Sequence, residues 1–311
     1  MSNSEGRAQV PAGKSARYEF VILALLALFW GSVGLNRFGL GMIFPVIGPE
    51  FHLEGWQMGL LISGTSVTWA ISSWVGGWLS DRHGRRRVLL PAVGYVALMT
   101  AAMGGAWGFL SMFVVRDLLG IGDGVGWSVG QATINEESAP HRRGINQAVF
   151  TVGYTLIGVG LGAIVITRLT GLLGWRWVFP IIGAATALIC LALLAVMREP
   201  PVRQLHSTDW RGALRLLRDP SLVFVTVAGC AVLAWLQIFV GFNQLYLTKV
   251  REFSLIDAGN TASIWGFAGA AGQILVPLAS DRFGRRPVVL ASALVSAATL
   301  ALYLLGGYGM G

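Results

Sequence analysis

From about residue 20 onward, long apolar stretches alternate with short polar connections, most of them basic. A helix that crosses a bilayer needs about 20 predominantly apolar residues. Stretches of that kind run at 20–47, 56–79, 88–106, 109–134, 144–167, 175–197, 221–247, 257–280 and 288–306, which predicts nine spans. The first is about 42 Å long as a helix, so it is expected to tilt or bend, with Gly34, Gly39 and Gly41 as the places. It is too long for the apolar segment of a signal peptide and reads as a retained span behind a polar tail, residues 1–18.

The polar connections contain a repeat. Gly77-Trp78-Leu79-Ser80-Asp81-Arg82-His83-Gly84-Arg85-Arg86-Arg87 returns 200 positions later as Pro277-Leu278-Ala279-Ser280-Asp281-Arg282-Phe283-Gly284-Arg285-Arg286-Pro287. Each copy lies between two apolar runs, and a turn this short joins antiparallel helices. The expected fold class is therefore all-α, a polytopic membrane bundle built by duplication. The expected organisation is a tail at 1–18, a six-helix half at 19–197, a basic linker at 198–220 and a second, three-helix part at 221–311. The linker is broken at Glu199-Pro200-Pro201; Trp210 to Leu217 is either a short amphipathic helix on the membrane surface or part of a solvated linker. A second half as long as the first would end near residue 397, so three of twelve spans are expected to be absent. A fragment, a shortened gene and a nine-span protein are the readings, and uphill transport is not expected without the other spans.

Composition agrees: 54% of residues are hydrophobic and 12% charged, where a soluble domain of this size carries about a quarter charged. With the N-terminus cytoplasmic, 17 of the 23 Lys and Arg residues fall in inside segments and four outside (Arg168, Arg176, Lys249 and Arg251). That bias predicts an inner-membrane protein with a cytoplasmic N-terminus. The net charge of +8 is thus a topology signal and not a nucleic-acid patch. Cys190 and Cys230 lie in apolar runs and read as buried small hydrophobes without a disulfide. His52, His83, His141 and His206 lack metal-ligand spacing, so no metal or cofactor is expected. No Walker A sequence occurs, and Gly120-Ile121-Gly122-Asp123-Gly124 lies within a span and not after a strand, so an ATP site is excluded. Any transport must then draw on ion gradients.

The signature Gly77-x-Leu79-Ser80-Asp81-Arg82-x-Gly84-Arg85-Arg86, its second copy, and Arg116-x-x-x-Gly120-x-Gly122 resemble motifs of the major facilitator superfamily. The resemblance covers the chain from about residue 18 onward. Arg37, Arg116 with Asp123, Tyr246-Leu247-Thr248 and Phe253-Ser254-Leu255-x-x-Ala258-Gly259 are similar to the anion:cation symporter family within it, although Asn36 stands where that family usually has Asp and Asp123 where it usually has Glu. The resemblance implies a non-enzymatic, monomeric secondary transporter that moves an organic acid with protons or sodium by alternating access. It also implies that the signature loops, with Gly77, Asp81, Arg82, Gly84, Arg85 and Arg86 in one and Asp281, Arg282, Gly284, Arg285 and Arg286 in the other, latch the halves together on the cytoplasmic side when the site faces outward. Asp281 is expected to work against Arg142, Arg143 and the start of the fifth span. The partner helix of Asp81 is expected beyond the chain. The simpler reading, that these arginines only set topology, stays open.

Arg37, Arg116, Asp117 and Asp123 are the ionisable residues predicted deep within spans. Each costs roughly 2.5–3.5 kcal/mol at mid-membrane, so each should face a cavity or a partner. Arg116 is expected about 10 Å, Arg37 about 15 Å and Asp123 about 21 Å from the outer boundary. Arg116 and Asp123 share a helix face, and Asp117 is turned about 100° away. Arg37 is the expected anchor for a substrate carboxylate, because a guanidinium matches it as a two-pronged donor. Asp123, tuned by Arg116, is the expected proton carrier; a static Arg116–Asp123 network is the alternative. Gln147, Thr151, Tyr154, Gln237, Asn243 and Gln244 are further substrate candidates, while Ser and Thr of the second span are read as helix-packing residues. A proton-driven exporter of drugs or metabolites, and a non-transporting receptor or inactive product, remain as alternatives.

Overall fold

Three of the described turns between helices carry a glycine at positive φ: Gly84, Gly174 and Gly284. The computed structural model describes residues 16–199 and 219–305. In it Gly84 and Gly284 close helices with φ of 98° and 89° and donate to the Ser80 and Ser280 carbonyls. An L side chain is strained there, so the repeat needs glycine at both places. Nine long helices occupy the described residues: α1 Ala16–Glu50, α2 Gly55–His83, α3 Arg85–Met103, α4 Phe109–Glu137, α5 Arg143–Leu173, α6 Trp175–Val196, α7 Pro220–Lys249, α8 Leu255–Phe283 and α9 Arg285–Leu305. The linker expected between 200 and 218, with its Trp210–Leu217 segment, lies outside them.

The repeat is structural as well as sequential. Helix α8 begins and ends 200 residues after α2, and α9 begins 200 residues after α3. His52 and Glu252, also 200 apart, are the non-glycine residues with positive φ among those described. The same backbone turn thus joins α1 to α2 and α7 to α8.

Seven helices are long and apolar enough to cross a membrane on length and composition. Helices α2 and α4 have 29 residues each but are more polar. They bury that polarity against each other: Ser72 of α2 donates to the Gly120 carbonyl of α4, and Thr65, Thr68 and Ser72 pack on Gly120 and Gly124. Outward-facing residues such as Trp74, Leu172 and Phe224 leave more than 70% of their surface bare, as a lipid-facing belt requires. The protein is a multi-pass membrane protein.

Helix α1 runs through the middle of the first six helices. One apolar cluster gathers around its second half with α5, α6 and α7, another around its first half with α3, α4 and α6. The three α1 glycines also mark close approaches: Gly34 meets α5, Gly39 meets Ile166, and Gly41 meets α7. Helix α5 contains a π-turn, Leu156–Leu161, at its contacts with α1 and α8. The extra residue in that turn rotates Gly158 toward Gly34 and Gly160 toward Gly266.

The signature arginines place one face of the bundle, called the basic face below. The other face carries the loops after α1, α3, α5 and α7. At this other face the early and late helices are in contact: Gly41 with Gly241, Phe44 with Phe242, and Thr167 with Gly259. Toward the basic face the end of α8 is exposed. The early and late helices therefore meet at one end, and the last turns of α8 stand exposed at the other. Residues 219–235 of α7 are exposed throughout, whereas the same stretch of α1 is covered by α5. This also revises the reading of the cysteines. Cys230 is exposed on α7 and Cys190 half-buried, and both are free thiols.

Candidate functional site

Arg116 is the largest fully buried side chain, 1% exposed. Its guanidinium donates to the Leu61 carbonyl of α2 at 2.5 Å and to the Asn36 and Arg37 carbonyls of α1 at 3.2 and 3.0 Å. Helix carbonyls with a spare lone pair accept these bonds, so a single side chain ties α4 to two neighbours where no water is available. The Arg116 donors are spent on backbone, and no ion pair joins Arg116 to Asp123 among the described residues.

Arg37 sits just beyond this clamp. One guanidinium nitrogen donates to Ser66 Oγ at 3.1 Å, and the group lies over the Trp69 ring at 5.6 Å. Its Nε is buried with no acceptor, and so is Trp69 Nε1. Asp123 is 1% exposed, and its Oδ1 is buried without a donor. Counted along their helices from the end away from the basic face, Arg37, Trp69 and Asp123 all lie roughly 20 Å in, at mid-bundle. Asp117 points elsewhere. Its Oδ1 abuts Gly64 of α2 and has no hydrogen-bond partner.

Next comes a layer of aromatic rings. Trp30 of α1 lies 4.6 Å from Trp127 of α4 and 5.1 Å from Tyr154 of α5. Tyr154 meets Phe38 edge-on at 5.0 Å, and Trp127 approaches Trp69 at 6.4 Å. Each ring sits near its neighbours at distances that favour offset or edge contacts.

Beyond the rings, toward the basic face, a cavity of about 460 Å³ is lined by Gln131, Asn135, Gln147, Ala148, Thr151 and Gln273. Gln131 is one helical turn past Trp127, and Thr151 is three residues before Tyr154, so the amides and the rings share faces of α4 and α5. Gln147 donates to the Gln131 carbonyl at 2.9 Å and Gln273 to Thr155 at 2.6 Å, while Gln273 Oε1 is buried and unpaired. A volume of this size accommodates a small organic molecule.

Of the predicted candidates, Arg37, Asp123 and Tyr154 gather at mid-bundle, and Gln147 and Thr151 line the cavity. The others stand apart. Asn243 and Gln244 are buried in the closed end, where Gln244 donates to the Leu255 carbonyl at 3.1 Å. Gln237 is half-buried on α7 and does not line the cavity. Ser66, Trp69, Trp127, Gln131, Asn135 and Gln273 were not foreseen. Ser66, one of the second-span residues read as helix packing, lies one turn from Trp69 on α2.

The two signature loops differ. In the first, Arg85 donates to Ser80 Oγ at 2.6 Å, to Asp81 at 2.5 Å and to Glu136 at the end of α4 at 2.8 Å. Arg86 donates to the Leu194 carbonyl near the end of α6, and Arg82 lies over Trp78 at 4.4 Å. Gly77 faces Ser128 of α4. In the second, Asp281, Arg285 and Arg286 are exposed, and among the described residues Asp281 makes no ion pair. The contact expected of Asp281 with Arg142 and Arg143, a feature of the outward-facing state, is not among the described ion pairs. Arg282 lies over Phe283 at 5.6 Å.

A family model described as Major Facilitator Superfamily matches residues 17–310. A probable 4-methylmuconolactone transporter of Cupriavidus pinatubonensis is 28% identical over 84% of this chain and 64% of its own length. A probable galactarate/D-glucarate transporter of Bacillus subtilis is 23% identical over 92% of this chain and 72% of its own length. Among solved structures, a bacterial homologue of the human lysosomal transporter Spinster, in an inward-facing and unoccupied conformation, superposes with a TM-score of 0.75 at 21% identity, over 88% of this chain and 64% of that one. The chain thus spans about two-thirds of the length of these proteins.

Proposed function

The chain belongs to the major facilitator superfamily, and from that membership we propose that it binds a small organic anion at Arg37 and carries it across the inner membrane with a proton, by alternating access. The observation that carries the reading is the state of Arg37: a half-buried guanidinium at mid-bundle, at the depth of Asp123, with one donor left without an acceptor. A buried donor without a partner costs about 1–3 kcal/mol or more when charged, and an incoming carboxylate would relieve that cost.

The cytoplasmic side is the basic face, on the positive-inside bias. The arrangement then corresponds to an inward-facing state, with the amide-lined cavity as the approach and the Gly41–Gly241 contact as the closed outer seal. Arg116 holds α1, α2 and α4 in register, so that Arg37 and Asp123 keep their spacing. An anion seated on Arg37 takes up the positive charge that Asp123 otherwise senses, so Asp123 binds a proton as the substrate arrives. That linkage is the symport step. The named function of one relative, galactarate/D-glucarate transport, agrees with an anionic substrate.

The test is calorimetric titration of the purified protein in lipid nanodiscs with organic acids, neutral sugars and cationic dyes. Saturable binding of acids alone is expected. Binding of cations in the absence of acid binding would favour an exporter of cationic compounds and overturn the reading.

A further inference from the structure

The charged residues at mid-bundle and the amide-lined cavity are separate. Asp123 is 1% exposed, Arg37 Nε and Trp69 Nε1 are shut in, and none of these three residues lines the cavity. Between the two levels stand the rings. On α4, Trp127 lies one turn from Asp123 on one side and one turn from Gln131 on the other. On α5, Tyr154 lies one turn from Thr151 and meets Phe38, the chain neighbour of Arg37, edge-on. The rings are not held alike. Trp30 and Phe150 are packed in the core, 5% and 0% exposed. Trp127 is half-buried, with ring contacts at 4.6 Å to Trp30, 5.8 Å to Phe150 and 6.4 Å to Trp69. Among the described residues no hydrogen bond pins its indole, whereas Glu50 holds Trp175 Nε1 and Glu54 holds Trp56 Nε1, each at 2.6 Å. The cavity of about 460 Å³, one turn away, gives the ring room to swing.

We infer that Trp127 is an inner gate: its indole closes the passage between the amide cavity and the level of Arg37 and Asp123, and swings toward the cavity to admit water or a solute. This rests on the reading of Arg37 as the anion anchor and extends it to how the anchor is reached. A dry site strengthens the attraction between a guanidinium and an anion. It also keeps Asp123 from trading protons with the cavity while no solute is bound, a leak that coupled transport has to prevent. Three ring contacts, lost together, lower the open fraction by roughly 10- to 1,000-fold.

The test labels single cysteines with an anionic, water-soluble methanethiosulfonate, on the full chain in nanodiscs with Cys190→Ala and Cys230→Ala. Ser66→Cys reports the Arg37 level, because Ser66 accepts from Arg37 at 3.1 Å. Thr151→Cys reports the cavity that Thr151 lines. Labelling at position 66 is expected to be at least roughly tenfold slower than at position 151. Adding Trp127→Leu is expected to quicken labelling at position 66 about tenfold and to leave position 151 as it was. Trp127→Phe, which keeps a ring, is expected to restore most of the delay. Equal rates at the two positions with Trp127 in place would overturn the inference, and that comparison stands even if no Trp127 variant folds. An unchanged rate at position 66 in a folded Trp127→Leu protein would overturn it as well. The labelling needs no acid, so its failure is distinct from failure of the anion reading. Stopped-flow mixing with benzoate adds the solute: association and dissociation are expected to quicken together in Trp127→Leu, with affinity unchanged. Changed affinity at unchanged rates would make Trp127 a solute contact and not a gate. Absence of benzoate binding would overturn the anion reading and leave the gate to the labelling result.

Discussion

Gly41 and Gly241, one repeat apart in sequence, face each other where α1 crosses α7: a Cβ built on Gly41 would lie 2.7 Å from the Gly241 carbonyl oxygen and 3.0 Å from its Cα. The duplication thus meets itself at its own equivalent positions. A contact so close is made of backbone, which cannot move aside as a side chain can. In the absence of a hydrophobic driving force between helices in lipid, such packing is what holds helices together.

Gly41→Ala should therefore destabilise the protein by about 1–3 kcal/mol, as overpacking of a tight contact does. Gly59→Ala is the internal comparison, because nothing lies within 4 Å of a Cβ there. It should be neutral or slightly stabilising by its better helix propensity, up to about 1 kcal/mol. Thermal unfolding in matched detergent reads both; equal effects would contradict the assigned contact.

The first signature loop should matter for stability and the second should not, in the conformation described. The Arg85 side chain is 10% exposed and is held by Asp81 and Glu136, which are 44% and 34% exposed. Glu136→Gln should cost about 1–2 kcal/mol, less than the 3–5 typical of a fully buried pair because the carboxylate is partly in water. Arg285→Ala should change the melting temperature by an amount within error, about 0.5 kcal/mol or less. A larger loss for Arg285→Ala than for Glu136→Gln would contradict the asymmetry.

Arg116 and Arg37 should separate by readout. Arg116→Ala leaves the Leu61, Asn36 and Arg37 carbonyls without their side-chain donor. The expected result is a large loss of folded yield, of the order of 3 kcal/mol or more. Arg37→Gln removes one hydrogen bond, to Ser66, and should fold with a melting temperature near the wild type. Size-exclusion profiles and melting curves compare the two; equal loss would mean that Arg37 is structural as well.

The helices were legible in the sequence because an apolar run of bilayer length allows no other structure. The second predicted span, 56–79, became Gly55–His83, and the eighth, 257–280, became Leu255–Phe283. The repeat was legible because its glycine and arginine turn is a local pattern. The site was legible only in part. Arg37 and Asp123 are conspicuous because charge is rare in a span. The partners of Arg116 are backbone carbonyls on two other helices, which no side-chain motif encodes. Trp69, Trp127 and Trp30 lie on three helices and become a cluster only on assembly. Whether Asp281 meets Arg142 and Arg143 depends on which end of the bundle is closed, and conformational state is not written in a local pattern.

Proton linkage should run through Asp123. Titrating a carboxylate into the wild-type protein in buffers of different ionisation enthalpy should reveal net proton uptake on binding. Asp123→Asn should abolish that uptake while binding persists. Identical uptake in both proteins would assign the coupling to another group.

The central claim is that Arg37 holds the carboxylate, and the most direct measurement is calorimetric titration of benzoate into the wild-type and Arg37→Lys proteins side by side. Lysine keeps the charge but loses the planar, two-pronged donor set. A weakening of about tenfold or more, with the melting temperature unchanged, is predicted. Unchanged benzoate affinity in a folded Arg37→Lys protein would contradict it.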